Sequence, residues 1–315
     1  MSKIAFVFPG QGAQYIGMGK EIAERYPAAD RVFNMSSEIL NLDMKNLCFD
    51  GSDEDIVKTE FTQPAILTTS IAILKVIEEY GISAEICAGL SLGEYTALVY
   101  SGALHFEDAV GLVRKRGKYM QEAVPLGKGT MAAILGLDNA TIENIIKEAS
   151  IKGIVEGANY NCPGQVVLSG EIEAIKESCD IAKAKGAKKA TILPVSAPFH
   201  CSMLKGAGDK LKEDLDKIVI NKPIRNIISN VTGNYVDTTE EIKDLLVKQV
   251  SMSVLWEQSI ERMINDGAHT LVEIGPGKTL VGFAKKIGRK FGIDLNLYHV
   301  ENIETLENLT NTLKH

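Results

Sequence analysis

The sequence predicts an α/β protein built on a mostly parallel sheet, with a small ferredoxin-like domain of βαββαβ order inserted into it. Three observations lead there. Short apolar runs alternate with helical patterns over most of the chain, the mark of a parallel sheet covered by helices. Residues 129–195 follow a different rhythm. That stretch is bracketed by Pro125-Leu-Gly-Lys-Gly129 and Pro194-Val-Ser-Ala-Pro198, both rich in chain-breaking residues.

In chain order, the apolar runs at 4–8, 86–90, 227–230, 270–274 and 295–300 are the predicted strands of the large sheet. Helical periodicity fills 63–80, 95–99, 107–123, 241–248 and 278–287. Inside the insertion the expected order is strand 130–135, helix 140–149, strands 153–160 and 165–169, helix 171–184, strand 190–195. The domains are therefore placed at 1–126 with 197–315, and at 127–196. A cleft is expected where they meet, and such clefts commonly hold ligands.

Composition narrows the function. With 315 residues, 45% hydrophobic and 24% charged, the chain is an ordinary globular one that needs no disulfide or metal to fold. A net charge of −7 argues against a general nucleic-acid or anionic-membrane binder. Cys48, Cys87, Cys162, Cys179 and Cys201 are odd in number and scattered, so reduced thiols are expected. No apolar run approaches the ~18 residues of a membrane span. The stretch from Met1 to Pro9 suits a buried first strand better than a signal peptide. A cytoplasmic protein is expected. No cluster has zinc-ligand spacing, Gly10-Gln-Gly12 lacks the third glycine of a dinucleotide loop, and Val272 stands where a P-loop ending in Lys278-Thr279 needs glycine.

The chemistry gathers at three residues. Gly89-Leu-Ser91-Leu-Gly93 follows an apolar run and precedes a helical segment, the strand–turn–helix context of a nucleophile elbow. The alternative is a glycine-rich turn with a capping serine. Ser91 would need a base, and the histidines are His105, His200, His269, His299 and His315. His105 suits a cap and His269 and His299 suit strands, whereas His200 sits at the Pro-punctuated domain junction, facing either Ser91 or backbone carbonyls. Arg116 falls at the centre of an apolar helix face formed by Ala109, Leu112, Val113, Met120 and Ala123. A buried guanidinium needs an anion, which is either a structural carboxylate or that of a substrate.

Seven segments then occur in order: Phe8-Pro-Gly-Gln-Gly-Ala-Gln14, Gly89-Leu-Ser-Leu-Gly-Glu94, Arg116-Gly-Lys-Tyr-Met-Gln121, Asn161-Cys-Pro-Gly-Gln165, Pro198-Phe-His200, Ser229-Asn-Val-Thr-Gly233 and Glu273-Ile-Gly-Pro-Gly277. Together they resemble the malonyl-CoA:acyl carrier protein transacylases of bacterial fatty acid synthesis. The resemblance implies an α/β-hydrolase-like large domain with the ferredoxin-like insert. It implies Ser91 as nucleophile, His200 as base and acid, and the N–H groups of Gln11 and Leu92 as an oxyanion hole. The backbone carbonyl of Gln249 would orient His200 in place of an aspartate. Arg116 would hold the malonyl carboxylate, Phe199 would crowd an α-methyl group, and Asn161 would contact substrate. The partners implied are malonyl-CoA and holo acyl carrier protein, used in turn by a monomer with no resident cofactor. Leu90 stands where many relatives carry histidine, and Ser253 where proline is common. Lysines within 183–189 and 285–290 are the candidate landing surfaces for an acidic carrier.

Rival readings are a transacylase serving polyketide assembly or malonate decarboxylation, an esterase or thioesterase, and an inactive binding module. A hydrolase is expected to carry a third acidic residue and to lack Arg116.

Overall fold

The computed structural model describes residues 3–195 and 197–313. Among the described residues ten strands form two sheets: β1 Lys3–Phe8, β2 Ile86–Gly89, β3 Gly129–Leu135, β4 Val155–Cys162, β5 Gln165–Glu171, β6 Lys189–Ile192, β7 Asn226–Ile228, β8 Tyr235–Val236, β9 Ala268–Ile274 and β10 Asn296–Val300. The large sheet has the order β10-β9-β1-β2-β7-β8 and is parallel except for β8. The smaller sheet, β4-β5-β3-β6, is antiparallel throughout.

Strand β1 shows why the large sheet lies inside. Successive side chains of a strand face opposite ways. Phe6 and Phe8 join one apolar cluster with Leu74, Tyr95 and Leu98, while Ala5 and Val7 join a second with Ile86, Trp256, Ile260 and Phe283. Both faces are buried, so the strand is apolar at every position from 4 to 8. The smaller sheet has its own core, in which Ile134, Val166 and Leu168 pack against Ile142, Ile145, Ile175 and Cys179 of two helices.

Several predicted boundaries move. The long helix runs Thr59–Glu79 and not 63–80, so Pro64 lies inside it instead of near its start. Strand β7 stops at Ile228, which frees Ser229 and Asn230 from the ladder, and β6 stops at Ile192, short of Pro194. Helices at Pro27–Leu40, Lys205–Leu215, Trp256–Asn265 and Ile303–Leu313 were not foreseen. The five cysteines are free and buried. Among the described residues no helix is long and apolar enough to cross a membrane. The expected junction at residue 196 and His315 lie outside the described residues.

Candidate active site

Ser91 sits between the end of β2 and the helix Gly93–Tyr100, with φ of 53°. A left-handed φ is unfavourable for any residue with a Cβ, so the turn is a strained one. The flanking glycines serve a different purpose from the one the motif suggests. Neither has positive φ; a Cβ on Gly89 would lie 1.9 Å from the Gly93 carbonyl, and one on Gly93 would lie 2.1 Å from the Phe8 carbonyl oxygen. Close backbone approach demands them, and the strain falls on the serine. The Ser91 N–H donates to Asn230 Oδ1 at 2.6 Å, and Asn230 Nδ2 donates back to the Gly89 carbonyl at 2.7 Å. These bonds pin the turn.

Ser91 Oγ lies 2.7 Å from His200 Nε2. The other ring nitrogen, Nδ1, is 2.8 Å from the backbone carbonyl of Gln249. A carbonyl only accepts, so Nδ1 carries the proton and Nε2 offers its lone pair to the serine hydroxyl. Burial lowers the imidazole to about 4, with the nearby Arg116 charge as the second cause. The ring is therefore neutral at physiological pH, the form a base requires. His105 begins a helix without its side chain capping it, His299 lies 3.7 Å from Glu301, and neither lines the cleft.

Arg116, on the helix Phe106–Glu122, is 1% exposed. Among the described residues no carboxylate pairs with it. Its terminal nitrogens donate to Gln63 Oε1 at 2.8 Å, Gln249 Oε1 at 2.9 Å and Ser91 Oγ at 3.2 Å, its Nε has no partner, and its guanidinium lies 5.3 Å from the Tyr95 ring centre. The nearest acid in the network is Glu94, reached only through an amide. Glu94 Oε2 accepts from Gln249 Nε2 at 2.7 Å and from the Asn230 N–H at 3.1 Å. Burial raises that carboxyl to about 7, against the pull of these donors.

Ser91, His200, Arg116 and Gln63 open into a cleft of about 290 Å³ between the two sheets. Gln11 and Leu92 line it, and among the described residues neither N–H has an acceptor. Gly10 lets the Gln11 loop approach the elbow, since a Cβ there would lie 2.3 Å from the Leu90 carbonyl oxygen. Phe199 and Leu90 also face the cleft. From the smaller sheet come Met131, Val167, Asn159 and Asn161. Asn161 is the extra residue of a bulge in β4, and its Oδ1 is buried without a partner. The loop after Gln249, with Ser253 where proline is common, is tied to β4: the Ser253 hydroxyl donates to the Gly157 carbonyl at 2.5 Å, and Val254 bridges to Asn159.

The side chains of Gln63, Glu94, Asn230 and Gln249 were missed as members of the site. Glu94 and Asn230 stand in two of the seven motifs, but nothing in their spacing says that they meet. Gln63 lies in an apolar helical run, where a buried amide is the available signal.

An acyl transferase domain family matches residues 5–307. Malonyl CoA-acyl carrier protein transacylase of Bacillus subtilis is 47% identical over 315 residues, covering 100% of this chain and 98% of that one. The crystal structure of malonyl CoA-acyl carrier protein transacylase from Clostridium perfringens superposes with a TM-score of 0.96 at 48% identity, covering 99% of this chain and 98% of that one. A type II PKS acyl-carrier protein in complex with its malonyl-transacylase gives a TM-score of 0.95 at 40% identity, covering 99% of this chain and 100% of the transacylase.

Proposed function

The chain belongs to the acyl transferase domain family, and from that premise we propose that it moves a malonyl group from malonyl-CoA to the phosphopantetheine thiol of acyl carrier protein in fatty acid synthesis. The observation that carries this reading is Arg116, a buried cation without a carboxylate partner, 3.2 Å from the hydroxyl that would be acylated. An acyl group on Ser91 that ends in its own carboxylate supplies the missing anion, and the unpartnered Nε supplies a second donor for a two-point contact.

Ser91 Oγ attacks the thioester carbonyl while His200 Nε2 takes its proton; a placed base of this kind contributes ~10²–10⁴ in rate. The N–H groups of Gln11 and Leu92 receive the oxyanion, each worth about 3–4 kcal/mol. Collapse expels the CoA thiolate, which takes the proton from His200. The malonyl-serine ester is then attacked by the carrier's thiol through the same steps reversed, giving ping-pong kinetics. CoA and phosphopantetheine come and go on the substrates, so no resident cofactor is required. All the groups named lie on one chain, so a monomer suffices for the reaction, and the cytoplasm is the compartment this reading assigns it. Phe199, beside His200, crowds an α-methyl substituent. The helix Thr279–Lys290 borders the cleft through Leu280 and Phe283, so its lysines within 285–290 are better placed than those within 183–189 to receive an acidic carrier.

The large sheet with its strand–Ser91–helix turn supports a hydrolase-like description, and the β3–helix–β4–β5–helix–β6 order supports a ferredoxin-like one for residues 127–196. Against hydrolase activity, His200 Nδ1 meets a backbone carbonyl and not an acid. Intact mass measured after brief mixing with malonyl-CoA, then after adding holo acyl carrier protein, tests the reading. One malonyl adduct that moves to the carrier is expected; an adduct lost to water, or none, would overturn it.

A further inference from the structure

Glu94 has no part in the steps above, yet it is 3% exposed and anchors the centre of the polar network. Its place follows from the hydrogen bonds of the Gln249 side chain. Around Nε2 stand Glu94 Oε2 at 2.7 Å, the Ser91 carbonyl at 3.0 Å and Asn230 Oδ1 at 3.4 Å. On the other side of the same amide, Oε1 accepts from Arg116 at 2.9 Å. An amide has one donating end and one accepting end. The end facing Glu94 must donate, so the end facing Arg116 must accept. Reversed, the amide would set its NH₂ against a buried guanidinium and its oxygen against three acceptors.

We propose that Glu94 is a positioning residue for malonyl recognition: by fixing the Gln249 amide it holds Arg116 beside the Ser91 hydroxyl, in the pose that meets the acyl carboxylate. The inference rests on the transacylase reading above. The shortest contact Gln249 makes through Nε2 is the one to Glu94, and because Oε2 accepts from both Gln249 and the Asn230 N–H, a proton taken up by this carboxyl belongs on Oε1 and leaves both bonds in place. Geometry does the positioning, and charge is secondary. Glutamine at 94 can present the same single accepting oxygen, with its NH₂ turned toward the Ser229 hydroxyl, which can accept. Alanine cannot. Aspartate keeps a carboxylate but withdraws it by one methylene, about 1.5 Å, out of reach of Gln249.

The test compares two acyl donors on purified full-length protein. Malonyl-CoA needs Arg116 to hold its carboxylate; p-nitrophenyl acetate, which is neutral, reports only whether Ser91 and His200 can acylate. Glu94→Ala and Glu94→Asp are expected to lower kcat/KM for malonyl-CoA by about tenfold or more, mainly through KM, as expected when a buried hydrogen bond is unmade. Release of p-nitrophenol should stay within about threefold of wild type, and Glu94→Gln should recover most of the malonyl activity. Parallel loss with both donors would make Glu94 a structural residue and overturn the proposal, as would unchanged malonyl kinetics in the aspartate variant. Should the alanine variant fail to fold, the aspartate and glutamine variants decide the matter alone. Failure of the transacylase reading would look different: wild-type protein would pass no malonyl group to holo acyl carrier protein.

Discussion

The two walls of the cleft are built on opposite principles. On the large-sheet side the wall is formed by Ser91, Arg116 and His200 and backed by Glu94, Asn230 and Gln249, a polar network whose members hold one another with bonds of 2.6 to 3.4 Å. The wall from the smaller sheet is Met131 and Val167 with two asparagines, one of which leaves a buried oxygen without a partner. One wall is cross-tied and rigid, as groups that must meet a reacting atom have to be, and leaves Arg116 Nε as an open donor. The other is mostly apolar, shaping the space and excluding water. They touch where Val254 and Ser253 lace the loop after Gln249 to β4. The apolar wall thus also braces the carbonyl that orients His200.

If chemistry resides in the polar wall alone, Ser91→Ala gives the largest effect. Covalent acylation by malonyl-CoA should vanish, since no other group occupies the hydroxyl's position, while circular dichroism stays that of the wild type. Any surviving acyl-enzyme would move the nucleophile elsewhere. Next comes Arg116→Ala, which should cost malonyl transfer several kcal/mol yet leave acetyl transfer from acetyl-CoA equal or higher. Equal losses with both acyl groups would mean that Arg116 supports the wall and not the substrate.

The pH profile sharpens the same contrast. The folded-state value of His200 lies below the ordinary 6.5, so its base function is present above about 4 and is lost as pH falls through that value. Acylation by malonyl-CoA should therefore hold its rate from pH 7 down to about 5, below the range where a solvated imidazole would already be protonated. Because Arg116 is one cause of the depression, Arg116→Ala should move the acidic limb upward. A limb near 6.5 in the wild type would show that His200 is solvated in solution.

The walls also differ in how far the sequence revealed them. Ser91, His200 and Arg116 stood out because each breaks a local expectation: a serine between glycines after a strand, a histidine among prolines, an arginine on an apolar face. Gln63, Asn230 and the Gln249 side chain broke none. Neutral amides carry no charge to betray burial, and their meeting depends on contacts up to 158 residues apart. Strands β1 and β2 were legible because burial on both faces writes an unbroken apolar run, and β9 and β10 through shorter runs that Glu273 and His299 interrupt. Helices such as Lys205–Leu215, with two glycines and a dense charge pattern, were not; packing of Ala207, Leu211 and Leu215 settles them, and local propensity does not.

The smallest effect is expected from the apolar wall. Asn161 Oδ1 is buried, unpartnered and placed by a bulge on the cleft side of β4. If it accepts a hydrogen bond from the bound substrate, Asn161→Ala removes a contact worth about 0.5–1.5 kcal/mol. That is up to roughly tenfold in KM for malonyl-CoA, with kcat little changed. Stability should not fall in proportion, because the free protein loses an unsatisfied oxygen and not a bond. A thermal melt separates the two cases. Raised KM with an unchanged Tm assigns Asn161 to substrate, whereas a lowered Tm with unchanged KM assigns it to the bulge and leaves the small sheet as shape alone.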